Sequence, residues 1–386
     1  MTTLFNDDWS FCEIPIDEKS MYDNEKPVLL CPDSFFAHAD SLNYVPVRVP
    51  HDWLITDAKA LYRNSVGFYK KVFTLDEKSA GKRTAIRFEG VYMNCGVWIN
   101  GKKAGEWKYG YSTFEFDISK LVHSGENTIQ VIAVYQNCNT RWYSGAGIFR
   151  DVTLITSDFT HIPTDGIYFS ARPVTPSKLN ENWTVEIETE ICSKGDFSGL
   201  TVINQLIDRD KNIFAQSKTD ILKAIPEDES LYRKKNIQAL DGYNLAVACD
   251  SLVVKSPNLW DTEKPYIYTL KTQLVDINGT IIEESAQNCG FKFAVFDKDD
   301  GFFLNGRHLK INGACHHHDH GAFGSAFNVE ALRRQFVKLQ EMGINSIRCS
   351  HNPPPKAWMN LADEMGLLID DECFDMWEKT KTPFDY

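Results

Sequence analysis

The sequence predicts two all-β domains followed by a parallel α/β unit. Short runs of alternating apolar and polar residues, broken by turn residues, fill the chain from its start to about residue 296. From residue 297 the pattern changes to strand, helix, strand, helix and strand, an order typical of a parallel sheet. At 386 residues, the chain is long enough for two or three such domains.

Residues 1–158 are expected to form a β-sandwich of the jelly-roll type. Runs such as 67–73 (GFYKKVF) and 128–134 (TIQVIAV) predict strands, and no helical period interrupts them. The Asn100-Gly101 pair is the strongest short signal for a tight hairpin. The length of the stretch favours a jelly roll among the sandwich folds.

Residues 159–296 repeat the all-β pattern in a shorter unit. Strand candidates include 183–189 (WTVEIET) and 266–272 (YIYTLKT), and the segment 162–166 (IPTDG) marks the entry to the unit. About seven such runs within this length are typical of an immunoglobulin-like sandwich.

Residues 297–386 carry the α/β pattern. The predicted strands are 309–315, 344–349 and 367–371. Asn328 is placed to cap the first helix and Gly343 to end it, while Pro354 and Pro355 open a second helix that ends at Gly366. A (β/α)₈ barrel and a doubly wound sheet both fit this order.

Charge and composition exclude several classes of partner. The net charge is −12 and the basic residues are scattered singly, which argues against nucleic acid and anionic membranes as partners. We see no secretory signal and no apolar run near the roughly 20 residues that span a bilayer. The 10 cysteines form no CxxC pair, so we expect buried thiols in a reducing, cytoplasmic compartment.

Aromatic residues are abundant, with 9 Trp, 15 Tyr and 24 Phe. Sugar rings present flat C–H faces that stack on aromatic rings, so this composition suits a carbohydrate-binding protein. Large sandwich cores produce the same excess, and composition alone does not separate the two interpretations.

Polar residues follow each of the three predicted strands of the α/β unit. They are the segments 316–320 (HHHDH), 350–352 (SHN) and 371–375 (DECFD), with Arg348 at the end of the second strand. Parallel α/β folds bind ligands at the carboxyl ends of their strands, so we expect one shared pocket. The sequence therefore predicts a functional site at this edge.

Clustered histidines and carboxylates also raise the possibility of a metal. His317 and Asp319 would face the same way on an extended segment, and such ligands suit zinc or iron. Each imidazole could equally hydrogen-bond a substrate hydroxyl. Because neighbouring side chains point in opposite directions, at most some of His316, His318 and His320 can reach the pocket. His308 is expected to be a solvated loop residue.

Several motifs along the chain resemble those of glycoside hydrolase family 2, the family of β-galactosidases, β-glucuronidases and β-mannosidases. In chain order they are 141–152 (RWYSGAGIFRDV), 257–260 (PNLW) with 265–268 (PYIY), 312–319 (NGACHHHD), 348–353 (RCSHNP) and 371–377 (DECFDMW). The resemblance covers the whole chain and favours the barrel over the doubly wound sheet. It implies that residues 297–386 are the first three β/α units of a TIM (β/α)₈ barrel.

The chemistry implied by the resemblance is retaining glycoside hydrolysis by two glutamates about 5–5.5 Å apart. In the family these glutamates follow the fourth and seventh barrel strands, so both are expected beyond Tyr386. Glu372 precedes those positions and would have a supporting role. The chain is therefore expected to be the N-terminal part of a longer enzyme and to be inactive alone. Its three barrel strands would leave an apolar face open, and the region beyond about residue 297 would be the most sensitive to proteases.

The resemblance also implies a set of substrate-binding residues. His317 and His351 would hydrogen-bond the sugar, Arg348 would orient the nucleophile, and Asp319 and Asn352 would shape the same subsite. Further candidates come from the first domain and from the third strand end: Arg141, Trp142, Tyr143, Asp375 and Trp377.

A carbohydrate is the expected substrate, with no cofactor. Met376 and Trp377 stand about where large galactosidases of the family carry magnesium ligands, so no metal is expected. The segment 317–324 (HHDHGAFG) is more similar to galactosidase-type members, which favours a β-galactosidase. Family members often assemble, so a homo-oligomer is compatible with the resemblance. The alternatives are a non-catalytic carbohydrate-binding or scaffold protein with a vestigial barrel, and a metal-dependent hydrolase built on the histidine cluster.

Overall fold

A computed structural model describes residues 1–221, 223–224, 242–376 and 379–384. Its first part is mostly β, with a ten-residue 3-10 helix at Pro32–Ser41 and shorter helical segments, among them α1 (Glu77–Ala80). The strands in chain order are β1 (Thr2–Leu4), β2 (Trp9–Pro15), β3 (Tyr22–Asp23), β4 (Lys26–Pro27), β5 (Val45–Val47), β6 (Ser65–Leu75), β7 (Arg83–Phe88), β8 (Val91–Tyr92), β9 (Cys95–Ile99), β10 (Lys102–Trp107), β11 (Phe114–Asp117), β12 (Gly125–Tyr135), β13 (Gly147–Ile148) and β14 (Val152–Ser157).

These strands form a sandwich of two antiparallel sheets. The larger sheet has the order β10-β9-β12-β6-β2-β5 and the smaller has the order β1-β14-β7-β11, with β13 paired to β8 and β3 paired to β4. The apolar positions that alternate along β6 and β12 are buried, as the sequence pattern requires. The predicted jelly-roll-type sandwich is confirmed.

The Asn100-Gly101 hairpin forms as predicted. Ile99 pairs with Lys102 across a two-residue loop, and both loop residues have positive φ, +50° for Asn100 and +78° for Gly101. This is the geometry of a type I′ turn, which asparagine and glycine adopt with the least strain. The turn fixes the register between β9 and β10.

The second part is a smaller sandwich of two four-stranded antiparallel sheets. Its strands are β15 (Ile167–Pro173), β16 (Asn182–Ser193), β17 (Thr201–Ile207), β18 (Ile213–Asp220), β19 (Lys223–Ala224), β20 (Asn244–Lys255), β21 (Tyr268–Val275) and β22 (Ile281–Cys289). The sheet orders are β15-β16-β20-β19 and β18-β17-β21-β22. Trp183, Tyr268 and Phe291 pack between the sheets, which confirms the immunoglobulin-like sandwich.

The third part begins with a short antiparallel sheet and continues as a parallel one. The antiparallel strands are β23 (Ala294–Asp297), β24 (Gly301–Leu304) and β25 (Arg307–His308), and the parallel strands are β26 (Gly313–His316), β27 (Ser346–Cys349) and β28 (Leu368–Asp370). The helices are α2 (Val329–Glu341) and α3 (Lys356–Met365). This is the predicted beginning of a barrel.

The ends of both helices follow the sequence signals closely. The side chain of Asn328 accepts hydrogen bonds from the amides of Glu330 and Ala331 at the start of α2. Gly366 ends α3 with φ of +74°. Helix α3 begins one residue after the predicted prolines, because Pro355 stands at its N-cap.

One face of the parallel sheet is covered and the other is open. The helices bury Leu332, Phe336, Ile347 and Trp358 against the sheet. On the opposite face an open cleft of about 1200 Å³ is lined by apolar side chains that include Phe296, which is 78% exposed. The open apolar face that the sequence predicts is therefore present, while the helix-covered face has its own compact core.

The segment after β28 packs on the first sandwich rather than on the barrel strands. The Tyr109 hydroxyl donates to the Cys373 carbonyl at 2.8 Å. Phe384 is fully buried in a cluster of first-sandwich residues and lies 5.6 Å from the Tyr22 ring. Within the described residues, no helix is long and apolar enough to span a bilayer.

Candidate active site

The parallel strands run in register, which brings their following segments to one edge. Gly313 is opposite Ser346, and Ser346 is opposite Leu368. The polar segments 316–320, 350–352 and 371–375 therefore begin at the same level of the sheet. Carboxyl ends of parallel strands are where ligands bind in such folds.

Glu372 connects two of the residues expected to bind substrate. Its carboxylate forms an ion pair with the Arg348 guanidinium, and its Oε2 lies 2.8 Å from His351 Nδ1. A carboxylate accepts hydrogen bonds, so Nδ1 carries the proton and Nε2 is left to interact with a ligand. Arg348 also contacts the Cys315 sulfur at 3.5 Å, and these hydrogen bonds to Cys315 and Glu372 raise the pKa of the guanidinium.

An aromatic loop from the first sandwich completes this corner. The Trp142 ring centroid lies 5.2 Å from that of His351 and 5.7 Å from that of His317, and the two imidazoles are 5.5 Å apart. The Trp142 indole N–H donates to the Tyr111 hydroxyl at 3.1 Å, which fixes the indole. Trp142, His317 and His351 together form a cluster of three rings at the strand ends, hereafter the sugar corner.

His317 has the features of a ligand-binding imidazole. Its Nδ1 is shielded from solvent and has no hydrogen-bond partner among the described residues. Burial, and then the adjacent His351, lower the pKa of His317. A neutral imidazole at neutral pH can donate to or accept from a sugar hydroxyl.

The other histidines of the first strand end turn away from the corner. The His316 ring lies 6.3 Å from that of Trp358, His318 Nε2 lies 2.9 Å from the Ser144 carbonyl oxygen, and His320 Nδ1 lies 3.1 Å from Gln335 Oε1. Burial lowers the pKa of His316 to about 4 and of His318 to about 3. His318 packs between the sandwich and the barrel unit, against Tyr111 and Phe149, whereas His316 and His320 pack against residues of the barrel unit itself.

Asp319 and Asn352 lie beside the corner in different settings. The Asp319 side chain is half-buried, and its carbonyl accepts from Gln335 Nε2 at 3.2 Å. Asn352 is buried and lines a separate small pocket together with His318 and Trp358. Its Nδ2 has no partner among the described residues. The substrate-binding roles of both residues stay predictions.

Arg141 and Asp375 form an ion pair that connects the first sandwich to the third strand end. Arg141 Nη2 lies 2.8 Å from both oxygens of Asp375, and Lys381 Nζ lies 2.9 Å from one of them. Burial opposes ionisation of Asp375, but the hydrogen bonds from Lys381 and Arg141 lower its pKa. Trp377, the remaining candidate at this strand end, lies outside the described residues.

Tyr143 is turned away from the sugar corner towards Asp52. Its hydroxyl donates to Asp52 Oδ2 at 2.7 Å, and the same oxygen accepts from the amide and hydroxyl of Ser325 at 2.9 and 3.1 Å. Asp52 Oδ1 accepts from the amides of Leu54 and Ala146 at 3.0 and 3.1 Å. This buried carboxylate ties the aromatic loop to the loop that follows β26.

Two glycines leave room for the Asp52 cluster. A Cβ on Gly145 would lie 2.6 Å from Asp52 Oδ2, and a Cβ on Gly324 would lie 2.3 Å from the same atom. Both glycines also have positive φ, +68° and +60°. Sequence reasoning missed Asp52, because its partners are up to 273 residues away and share no motif with it.

Arg150 is a second buried connection between the sandwich and the barrel unit. Its guanidinium donates to the carbonyls of Tyr111 at 2.6 Å and Pro353 at 2.8 Å. Burial lowers the pKa of Arg150 to about 10. The contact holds the segment that carries His351 against the first sandwich.

In the part of the chain that the structure describes, the histidines and carboxylates at the strand ends do not come together as a metal-ligand group. Among the described residues, the group of His, Cys, Asp and Glu atoms close enough to share an ion is Cys31, Asp33 and Glu106, all exposed. Lys103 forms salt bridges with Asp33 at 2.7 Å and with Glu106 at 2.9 Å, so its ammonium offsets part of the negative charge of that group. All ten cysteines are free thiols.

A jelly-roll sandwich, an immunoglobulin-like sandwich and a barrel unit, with imidazoles and aromatic rings at the strand ends, together define a multidomain glycosidase architecture. Family models match the chain in the same order: the sugar binding domain of glycosyl hydrolases family 2 at residues 6–158, a model described as glycosyl hydrolases family 2 at 168–292, and the family 2 TIM barrel domain at 295–381. The chain belongs to glycosyl hydrolase family 2.

The relatives are named as enzymes for different sugars. The chain is 36% identical to the β-galactosidase BoGH2A of Bacteroides ovatus over 88% of its own length and 39% of that protein. It is 29% identical to a β-glucuronidase of Bacteroides fragilis over 86% of its length and 47% of that protein. A solved family 2 structure from Bacteroides cellulosilyticus superposes with a TM-score of 0.81 at 26% identity, covering all of this chain and 47% of that one. The chain thus spans less than half the length of these relatives.

Proposed function

We propose that this chain is the substrate-positioning part of a retaining β-glycosidase that hydrolyses terminal β-linked galactose from oligosaccharides or glycosides. The observation that carries the proposal is the sugar corner, in which Trp142 of the sandwich meets His317 and His351 of the barrel unit. An indole face suits the C–H face of a pyranose, and imidazoles suit its hydroxyls. Family membership supports the reaction class.

The contacts at the strand ends support a positioning role for these residues. The Glu372 carboxylate is engaged by both Arg348 and His351, so its oxygens are already occupied by two neighbouring side chains. Glu372 fixes the orientation of the His351 ring, so that His351 Nε2 is held in place to form a hydrogen bond with the ligand. The two glutamates of the retaining mechanism are assigned by family resemblance to later barrel strands.

The charges around the corner favour a neutral sugar over a uronic acid. A glucuronide carries a carboxylate, which an unpaired cation would stabilise. Arg348 is paired with Glu372, and Arg141 is paired with Asp375.

Ligand-observed NMR and calorimetry with the chain itself test this proposal. We expect methyl β-D-galactoside to bind and methyl β-D-glucuronide to bind at least about tenfold more weakly, since one lost charge-assisted contact corresponds to such a factor. His351→Ala should weaken galactoside binding by about tenfold. The matched control is His38→Ala, because His38 is exposed on the first sandwich.

Two results would contradict the proposal. A preference for the glucuronide would reject the galactoside assignment. Glycan binding that is unaffected by His351→Ala, maps to residues 1–158 and survives removal of residues 297–386 would instead support the non-catalytic carbohydrate-binding protein.

A further inference from the structure

Asparagine followed by glycine occurs at four places in the chain, at Asn100, Asn278, Asn305 and Asn312. This dipeptide is chemically labile in water, because glycine has no side chain to shield its backbone nitrogen from the side-chain carbonyl carbon of the asparagine. The nitrogen can attack that carbon and expel ammonia. The attack requires the asparagine side chain to turn towards the glycine, and the four pairs differ in whether the fold allows this.

The Asn100 side chain is held at both of its polar atoms. Its Nδ2 donates to the Leu121 carbonyl at 3.0 Å and to Asn127 Oδ1 at 2.8 Å. Its Oδ1 accepts from the Thr128 amide at 2.8 Å. Asn100 therefore cannot turn towards Gly101 without breaking hydrogen bonds to three other residues.

The pairs at Asn305 and Asn312 are also restrained. Asn305 donates to the Trp260 carbonyl at 2.9 Å and accepts from the Phe293 amide at 2.9 Å. Asn312 Nδ2 lies 3.4 Å from the Gly343 carbonyl oxygen, and the backbone carbonyl of Asn312 accepts two hydrogen bonds from residues at the start of β27. These contacts keep the first side chain and the second backbone in place.

Asn278 differs because it lies at the tip of the hairpin between β21 and β22, where residues 277–280 are all exposed. Asp276 Oδ1 accepts from the amides of Asn278 and Thr280, each at 2.8 Å. Hydrogen bonds from the Thr280 amide, and then from the amide and side chain of Asn278, lower the pKa of Asp276. Within the described residues, this neighbouring carboxylate is the group that the Asn278 side chain contacts, so the side chain can turn towards Gly279.

We propose that Asn278 is a self-modification site, at which the exposed Asn-Gly turn deamidates to aspartate and isoaspartate while the fold protects the other three pairs. The Gly279 nitrogen forms a bond to Asn278 Cγ and gives up its proton to water. The bond between Cγ and Nδ2 breaks, and the nitrogen takes up a proton and leaves as ammonia. Water then opens the resulting succinimide ring at either of its two carbonyl carbons. No oxidant, reductant or cofactor is consumed.

Both products are expected to weaken the hairpin. Each adds a carboxylate beside Asp276, and like charges at this spacing repel. Isoaspartate also inserts a methylene into the backbone and displaces Thr280 from Asp276. Strand β22 follows directly, and its Glu283 accepts from the Ile162 amide at 2.6 Å, in the segment that joins the two sandwiches. The modification therefore weakens a strand that contacts this connecting segment.

Peptide mass spectrometry of the intact chain, aged at mildly alkaline pH, tests the proposal. The deamidated fraction is measured at all four pairs, and fragmentation separates isoaspartate from aspartate. Asn278 should convert at least about tenfold faster than Asn100 and Asn305, because breaking the hydrogen bonds of a held side chain adds to the barrier. Asn312 should also convert more slowly than Asn278. In urea the four rates should become similar, since all four pairs then have the same local sequence.

Two variants sharpen the test. Asn278→Gln should abolish conversion, because the longer side chain would have to close a larger and less favourable ring. The matched control is Asn288→Gln, since Asn288 is an exposed asparagine of β22 that is not followed by glycine. Limited proteolysis of aged protein should cut within 276–283 in the unaltered chain and in Asn288→Gln, but not in Asn278→Gln.

The possible outcomes are distinct. Conversion of any of the other three pairs as fast as Asn278 in the folded chain would overturn the proposal, as would an unmodified Asn278. Conversion at Asn278 with unchanged proteolysis would overturn the weakening of the hairpin and leave the modification site standing. The proposed function is independent of these results, because the hairpin contributes no residue to the sugar corner.

Discussion

Asp52 is the residue through which the two sides of the candidate site are connected. It is buried, and it accepts hydrogen bonds from the aromatic loop (Tyr143 and Ala146), from Ser325 of the barrel unit and from Leu54. Its partners lie 91 and 273 residues away along the chain. Asp52 touches no part of the sugar corner, so it acts there through Trp142, the neighbour of Tyr143.

Asp52→Asn should separate this positioning effect from simple destabilisation. The NH₂ group of the new asparagine side chain would face one of the groups that donate hydrogen bonds to Asp52. Two buried donors would then be left without an acceptor, which costs about 1–3 kcal/mol. We expect a lower free energy of unfolding and weaker binding of methyl β-D-galactoside, measured by urea unfolding and calorimetry. The shift of Trp142 relative to His317 is the physical reason for the weaker binding.

A matched carboxylate exists in the second sandwich. Asp250 accepts hydrogen bonds from Asn204 at 2.8 Å, from Ser217 at 2.5 Å and from Thr219, on strands remote from the site. Asp250→Asn should destabilise the protein and leave galactoside affinity unchanged. Equal effects of the two variants on affinity would show that Asp52 has no positioning role.

Part of the site was predictable residue by residue, and part was not. The strand-end rule identified His317, Arg348 and His351, because polar residues directly after parallel strands converge whatever the rest of the fold does. Tyr109 and Tyr111 gave no such signal, because a tyrosine on a sandwich usually reports core packing. Tyr143 was grouped with Trp142 by its motif, but its hydroxyl turns to Asp52.

Among the elements, the segment after β28 behaves differently from its sequence context. It follows a barrel strand, yet Phe384 is buried in the core of the first sandwich beside Tyr22 and Trp98. The Arg141–Asp375 ion pair and the Tyr109–Cys373 hydrogen bond fix the same segment at two further points. The position of residues 371–376 therefore depends on contacts with parts of the chain that are remote in sequence.

Phe384→Ala should release this segment without unfolding the sandwich. Replacing a buried phenylalanine by alanine costs about 3–5 kcal/mol when the surrounding structure stays fixed, and local detachment of 371–384 limits that cost. Hydrogen exchange in 371–376 should accelerate, and limited proteolysis should cut there first. Phe323→Ala, at a residue 51% exposed, is the control; unchanged exchange in Phe384→Ala would contradict the anchoring.

Helix boundaries follow from local sequence signals, whereas strand boundaries depend on pairing with a neighbouring strand. Capping residues act within one turn, so Asn328 and Gly366 set their helix ends as the sequence indicated. The first parallel strand was predicted as 309–315 but is Gly313–His316. Its length depends on where β27 pairs with it, and pairing is a tertiary property.

Across the whole molecule, buried histidines couple stability to pH. Burial lowers the pKa of His51 and His316 to about 4 and of His161 and His318 to about 3. Unfolded histidines bind protons below a pH of about 6.5, whereas these folded ones do not. Their stabilising contribution is therefore complete above that pH and is lost as the pH falls towards 4.

Urea-unfolding midpoints measured from pH 7.5 to 4.5 test this coupling. Each such histidine contributes a slope of about 1.4 kcal/mol per pH unit below pH 6. Burial raises the pKa values of four carboxyl groups, Glu89, Glu283, Asp363 and Asp371, and these oppose the trend. They are fewer than the six histidines whose pKa values burial lowers. His161→Gln should flatten the pH dependence and His38→Gln, at an exposed position, should not; equal slopes in both would contradict the assignment.

The sequence by itself determined the order of domains, the class of each sheet, the helix caps and the strand ends where polar residues gather. These features depend on periodicity, turn chemistry and the direction of parallel strands, all of which act over short distances along the chain. Only the tertiary structure decided that Trp142 faces His317 and His351, that Asp52 and Arg150 join the sandwich to the barrel unit, and that Phe374 and Tyr109 form one cleft. Contacts between residues hundreds of positions apart depend on how the surfaces of the folded domains pack against each other. No local sequence pattern specifies that packing.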